Sequence, residues 1–144
     1  MESTLVMIKP DHYEFADEII LQLDFNAIRS KIGRVDSIPR EVIQEHYLPH
    51  KGKSFYDYMT EYFVGKPTVV AVYIGNDIVD RMRRMIGVTD PSKAGEETIR
   101  GKYSNDSLEL ATFERRPVKN VIHASESLEE ALREIKVWEK FLNQ

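Results

Sequence analysis

Residues 68–87 read TVVAVYIGNDIVDRMRRMIG, and the fold turns on how this stretch is read. Val69 to Ile74 is an unbroken β-branched and aromatic run closed by Gly75, the pattern of a strand buried on both faces. Asn76 is placed to cap the following helix, where Ile78, Met82, Met85 and Ile86 share a face and Gly87 supplies a left-handed stop. Upstream, Leu5 to Ile8 is a second apolar run, stopped at Lys9 and Pro10, where proline removes a backbone donor. Ile19, Ile20 and Leu23 then fall at helical spacing, and Ala27 to Val35 is a strand-like mix with Ile28 and Ile32 on one face.

A helical pair separates that strand from residue 68. Pro39 suits a first helical position with Glu41 in the first turn, and this helix ends near His46, before Pro49 and Gly52. Phe55, Tyr58, Met59, Tyr62 and Phe63 recur at helical spacing, which predicts a second helix with these five on one face. Downstream, residues 88–119 are irregular, punctuated by Pro91, Gly95, Gly101 and Pro117, and a loop of that length is usually functional. Asn120 to Ala124 gives a last short strand. Ser127 with Glu130 then forms a capping box, opening a helix expected to bury Leu128, Ala131, Leu132, Ile135 and Trp138. With the helical pair set aside, the order is β-α-β-β-α-β plus a closing helix. The expected fold is an α/β (α+β) ferredoxin-like sandwich with an inserted helical hairpin and a C-terminal helix, one domain over 1–144, its helices on one face of an antiparallel or mixed sheet.

The composition narrows the chemistry. The 144 residues are 42% hydrophobic and 31% charged, the balance of a globular domain. The net charge of −4 gives no overall basic field for nucleic acid or an anionic membrane, so neither is expected as a partner. Cysteine is absent, which excludes a thiol nucleophile, a zinc-thiolate site and an iron–sulfur cluster, and fits a cytoplasmic location. No segment approaches the roughly 20 apolar residues of a membrane helix, and the amino-terminal apolar stretch reads as a strand rather than a leader.

Of the four histidines, His123 stands out, because it lies at the end of a short apolar strand just before a capped helix. Imidazole near neutral pH is partly unprotonated and therefore nucleophilic. Glu134 flanks the buried stripe of the last helix, where a carboxylate can bond one imidazole nitrogen and leave the other free to attack. The plainer alternatives are a buried histidine satisfied by backbone and a solvated helix charge. Lys9, Arg83 and Arg100, with the Thr89 hydroxyl as a neutral donor, form a dispersed cationic set that suits a polyphosphate. Each taken alone reads as solvated surface.

The strings TLVMIKPD (4–11), QEHYLPHKGKSFY (44–56), RRMIGVTDPSKA (83–94), ETIRGKY (97–103) and NVIHASESLEEALREI (120–135) resemble, in order, the signatures of nucleoside diphosphate kinases. The resemblance implies a ferredoxin-like core with an inserted helical hairpin and reversible γ-phosphoryl transfer from a nucleoside triphosphate to a diphosphate through a phosphohistidine. It implies His123 as the phosphorylated nucleophile and Glu134, bonded by Ser125, as its orienting carboxylate. Lys9 and Tyr47 would approach the γ-phosphate, Arg83, Thr89 and Arg100 the β- and γ-phosphates, and Asn120 the ribose and phosphate end. Phe55 would stack on the base, with little base preference. Mg2+ is expected to arrive on the nucleotide phosphates rather than in a protein cage, and a homo-oligomer, tetramer or hexamer, is implied. Lys102 stands where the family has aspartate, and it is expected to bring positive charge beside the phosphates and weaken the magnesium dependence. The alternative is a catalytically weak nucleotide-binding or scaffold protein on the same fold. An RNA-binding module ranks below both, since residues 69–74 lack the aromatic RNP pattern.

Overall fold

The two apolar runs become the central strands of one antiparallel sheet. In a computed structural model that describes residues 1–142, β1 (Glu2–Ile8), β2 (Ile28–Val35), β3 (Thr68–Gly75) and β4 (Ile122–Ala124) lie in the order β2-β3-β1-β4. The register pairs Leu5 with Val72 and Met7 with His123, both antiparallel. The helices are α1 (Ala16–Asp24), α2 (Arg40–His46), α3 (Tyr56–Phe63), α4 (Ile78–Ile86), α5 (Ile99–Tyr103), α6 (Leu108–Phe113) and α7 (Leu128–Trp138). This is the ferredoxin-like order, with α2 and α3 as the inserted pair.

Helices cover both faces of the sheet, not one as expected. Val6 and Ile8 join Ile19 and Leu23 of α1 and Ile78 and Met82 of α4 in one core. Leu5 and Met7 point the other way, into a second core with Ile43 of α2, Phe63 of α3 and Trp138 of α7. The cause is the continuous apolar character of β1 and β3: both faces carry apolar side chains, each worth about 1.5–3 kcal/mol when buried, so both need cover. The inserted hairpin and closing helix provide the second layer.

Four local expectations are corrected. On α3 the fully buried side chains are Tyr56, Thr60 and Phe63, with Tyr58, Met59 and Tyr62 only partly covered. The Thr60 hydroxyl is satisfied by the Tyr56 carbonyl, so a polar residue can take that face. On α7, Leu128 and Leu132 are exposed while Glu134 is buried, because α7 is rotated to bring the carboxylate beneath β4. The cap of α4 is Asp77, at φ 55°, rather than Asn76. Residues 88–119 contain the short helices α5 and α6, opened by the Thr98 and Ser107 side chains.

Gly33 on β2 shows how tightly the carboxy-terminal segment is seated. A Cβ at this position would lie 1.8 Å from the Phe141 carbonyl oxygen. Gly33→Ala is therefore expected to cost about 1–3 kcal/mol, lowering Tm by several degrees in a thermal melt; an unchanged Tm would mean that the segment does not dock on β2.

Candidate active site

A cleft of about 730 Å3 opens at the end of the sheet, and Lys9, Tyr47, Arg83, Thr89, Arg100, Asn120, His123 and Glu134 line it, whereas Phe55, Ser125 and Lys102 do not. Phe55 sits just before α3, and its ring lies 5.5 Å from that of His50, which does line the cleft.

The backbone before β4 aims the nucleophile candidate. Val121 has φ 79°, and the Ile122 N–H donates to the Asn120 carbonyl at 2.9 Å, which closes a γ-turn. A β-branched residue in this conformation costs about 1–3 kcal/mol, and such strain concentrates at functional sites. The chain leaves the turn to pair with β1, placing His123 opposite Met7 and so on the face covered by α2 and α7.

There the His123 Nε2 lies 2.9 Å from Glu134 Oε1, and the Ser125 hydroxyl donates to the same oxygen at 2.7 Å. The backbone N–H of Leu5 donates to Ser125 Oγ at 3.2 Å, which fixes the serine in turn. Burial pushes the Glu134 carboxyl up, but the charge and hydrogen bond of His123, with His46 and Ser125 behind them, hold it down at about 2. The carboxylate is therefore ionised at neutral pH, accepts the Nε2 proton and leaves Nδ1 as the free lone pair.

The cationic residues divide into two kinds. Arg100 is buried, and its Nε, Nη1 and Nη2 donate to the carbonyls of Asn120, Gly87 and Ile122 at 3.2, 2.9 and 2.7 Å. A guanidinium carries five N–H bonds, so one hydrogen on each Nη remains. Burial draws it down to about 10, with Tyr47 opposing and Arg83 assisting. Lys9 is also buried, and its Nζ donates to Asn120 Oδ1 at 2.7 Å and to the Val118 carbonyl at 2.9 Å. Burial lowers it to about 8. Asn120 completes the link by donating from Nδ2 to the Thr89 carbonyl at 2.9 Å. Arg83, by contrast, is exposed on α4, with one long contact of 3.4 Å to the Glu126 carbonyl. The Tyr47 hydroxyl is raised by burial and stays protonated.

Lys102 does not reach the cleft. Its Nζ donates to Gln22 Oε1 at 3.1 Å, over α1, because two residues after Arg100 on α5 is about 200° around the helix. The expectation of extra positive charge at the phosphates is corrected on that ground, and with it the weakened magnesium dependence.

Two residues that sequence reasoning passed over complete the surroundings. His46, at the end of α2, is buried with its ring 4.6 Å from that of His123. Its signals were its place beside Tyr47 and the lone tryptophan one helical turn beyond Glu134. One nitrogen of each ring and a Glu134 oxygen lie within 4.8 Å of one another, a spacing that would suit a metal. The donors are already engaged, however: Trp138 Nε1–H donates to His46 Nδ1 at 2.9 Å, and Glu134 Oε1 serves His123 and Ser125. The trio fits a metal poorly.

His12 ties the loop after β1 to α5. Its Nδ1 lies 2.5 Å from Asp11 Oδ1 and its Nε2 2.9 Å from the Tyr103 carbonyl. Both partners only accept, so the ring is a protonated imidazolium, raised above the ordinary histidine value chiefly by its bond to Asp11. A raised folded value means that the link stabilises fully below about pH 6.5, the unfolded value, and is lost as pH rises through the folded value. The Tm gap between the protein and His12→Phe is expected to shrink as the pH rises from 6 to 9; a constant gap would show that the proton is not involved.

Comparison with known proteins gives the family. The family described as nucleoside diphosphate kinase matches residues 2–141. A nucleoside diphosphate kinase of Staphylococcus epidermidis is 36% identical over 140 residues, covering 96% of this chain and 87% of the relative. Among solved structures, the NDP kinase of Pyrobaculum aerophilum superposes with a TM-score of 0.84 at 30% identity, covering 99% of both chains. The enzyme of Borrelia burgdorferi, a transition-state mimic with vanadate and ADP, gives 0.87 at 23% identity over 99% of this chain and 91% of that one, a likeness of fold. With a buried carboxylate behind a strand-end histidine, a cationic cleft before it and this match along nearly its whole length, the chain belongs to the nucleoside diphosphate kinase family.

Proposed function

We propose that the chain moves the γ-phosphoryl group of a nucleoside triphosphate to a diphosphate in two steps through His123, as one domain over 1–144, of which residues 143 and 144 lie outside the described part. The observation that carries this is the His123–Glu134–Ser125 relay, which holds one imidazole nitrogen as a donor and leaves the other for attack. In the first step a bond forms from Nδ1 to the γ-phosphorus and the bond to the β–γ bridging oxygen breaks, releasing the diphosphate. The ring gains positive charge as it forms the new bond, and the Glu134 carboxylate stabilises it. In the second step a diphosphate oxygen takes the phosphoryl group and Nδ1 regains its lone pair.

The remaining roles follow from position. Arg100, through its two unused N–H bonds, and Arg83, from the cleft rim, are assigned to the phosphates, with Lys9, Tyr47 and Thr89 beside them. Asn120 is assigned to the ribose and phosphate end, and Phe55 to the base by way of the His50 side. Mg2+ is assigned to the nucleotide: its hard oxygen ligands are the phosphates, and the one His/Glu cluster among the described residues is already hydrogen-bonded. A cytoplasmic homo-oligomer is the proposed setting. The edge position of β2 and the exposed apolar side chains of Leu21, Phe25 and Ile28 support assembly. No helix among the described residues is long and apolar enough to cross a membrane.

The test is incubation with γ-labelled ATP and separation of the protein. Label that is lost in acid and kept in base, and that transfers to an added diphosphate, is the expected result. Acid-stable label, or none, would leave the scaffold reading in its place.

A further inference from the structure

Between α5 and the γ-turn the chain runs out over residues 104–119 and returns, and Asp106 fastens the way out to the way back. Its Oδ2 accepts from Arg116 Nη1 at 2.7 Å and from the backbone N–H of Lys119 at 2.8 Å, and its Oδ1 accepts from Arg116 Nη2 at 2.9 Å. The bond to Arg116 holds the carboxyl well below the usual carboxylate range against its burial, with the backbones of Lys119 and Ser107 assisting, so the fork is charged on both sides. The Asp106 and Arg116 side chains are 8% and 23% exposed, which shields the pair from the screening that weakens surface ion pairs. Lys119 is held from its other side as well, because its carbonyl accepts from the Ser104 hydroxyl. The two residues flanking Lys119 are the ones that hold Lys9, whose Nζ donates to the Val118 carbonyl at 2.9 Å and to Asn120 Oδ1 at 2.7 Å. An ammonium has three N–H bonds, so one is left for a ligand of the cleft that Lys9 lines. Asn120 has anchors of its own in the Thr89 carbonyl and Arg100. Among the described residues the Val118 carbonyl has, besides Lys9, only the Asn120 N–H, so its place depends on how Lys119 is fastened. Asp106 also acts on Lys9 through space: burial lowers the ammonium to about 8, Asp11 and Asp106 oppose, and Arg100 assists.

We propose that Asp106 and Arg116 are positioning residues for Lys9: they fix Lys119, Lys119 fixes the Val118 carbonyl, and that carbonyl with Asn120 Oδ1 aims the ammonium at the terminal phosphate. The proposal rests on the assignment of Lys9 to the γ-phosphate. A lysine carries its charge on a flexible four-carbon stem, and left unheld it spreads that charge over many positions. Charge that is already in place when the reaction begins stabilises the transition state most, because nothing has to reorganise. With the clamp open, Lys9 keeps its charge and loses the fixed place of one of its two acceptors. The effect falls on transfer rather than on diphosphate binding, since a diphosphate has no γ-phosphate for Lys9 to meet.

Turnover is read at pH 7, where Lys9 keeps its proton. Asp106→Ala removes all three bonds and is expected to lower kcat about tenfold, with nucleoside diphosphate affinity within about twofold of the parent. Asp106→Asn keeps an oxygen for the Lys119 N–H and is expected to stay within about threefold of the parent. An asparagine variant as slow as the alanine one would make the charge responsible rather than the placement, and overturns the proposal. A clamp that acts through Lys9 has nothing to act on once Lys9 is gone. In a Lys9→Met background, Asp106→Ala is therefore expected to change kcat by less than about twofold, and equal losses in both backgrounds would make the clamp merely structural. Where Asp106→Ala does not fold, Ser104→Ala frees the other side of Lys119 instead, with a loss of about threefold expected only when Lys9 is present. The 15N signal of the Lys9 ammonium in the nucleotide-free protein checks the placement without any reaction. Slow proton exchange is expected in the parent and in Asp106→Asn, and fast exchange in Asp106→Ala; an unaltered signal overturns the proposal. Absence of label on the parent protein alongside that change in exchange would instead sink the transfer reading and leave the clamp on Lys9 standing.

Discussion

His123→Ala is expected to lower phosphoryl transfer by about 10^4-fold or more, and to leave nucleoside diphosphate affinity within about threefold. The separation follows from where the groups sit. The imidazole Nδ1 lone pair is both fixed and free, since Nε2 is engaged with Glu134 and the ring lines the cleft. The cations assigned to the phosphates are tied elsewhere: Arg100 to three carbonyls, Lys9 to Asn120 and Val118. None of those bonds passes through the His123 side chain, so its removal leaves the binding wall standing. Turnover by pulse-chase and affinity by calorimetry on the same preparation check both halves. Turnover near that of the parent would move the nucleophile to another residue, and a matched loss of affinity would make His123 a structural element of the cleft.

The sequence made some of this legible and hid the rest for identifiable reasons. The apolar runs at 5–8 and 69–74 declare central strands, because only buried strands tolerate such continuity. They also imply cover on two faces, and the inserted helical pair supplies part of the second layer. His123 and Glu134 could be paired because strand end and capped helix are adjacent in the chain, 11 residues apart. His46 lies 92 residues from Trp138, and no local pattern joins them. Leu128 and Leu132 were expected inside because apolar residues usually are, whereas α7 gives its inner face to Glu134, whose burial two hydrogen bonds to Oε1 make tolerable. Lys102 was placed by adjacency to Arg100, but on a helix neighbours two apart point away from each other. Phe55 is placed by its motif alone, and in the structure its ring packs on that of His50, a residue of the cleft.

Arg100→Met is expected to cut kcat/KM by about 10^2–10^3-fold, the range seen when one preorganised donor to a developing charge is removed, and by a similar factor whichever base the nucleotide carries. It is also expected to destabilise the fold, because the carbonyls of Gly87, Asn120 and Ile122 all lose their guanidinium donor and Asn120 alone keeps the Ile122 N–H of the γ-turn, and a buried group left unpaired costs about 1–3 kcal/mol. Those three carbonyls belong to the cap of α4, the γ-turn and the first residue of β4, so one side chain fixes the segments that aim His123. Arg83→Met supplies the contrast. Its guanidinium is exposed and has one 3.4 Å contact, so kcat/KM should fall while Tm stays where it was. Arg100→Lys separates the two duties of the buried residue: a single ammonium keeps the charge but cannot reach three carbonyls at once. If charge alone matters, the lysine variant retains most of the activity of the parent. If the fork matters, as the three bonds require, it behaves like Arg100→Met in both turnover and Tm, and an Arg100→Lys enzyme of full activity would refute the clamp.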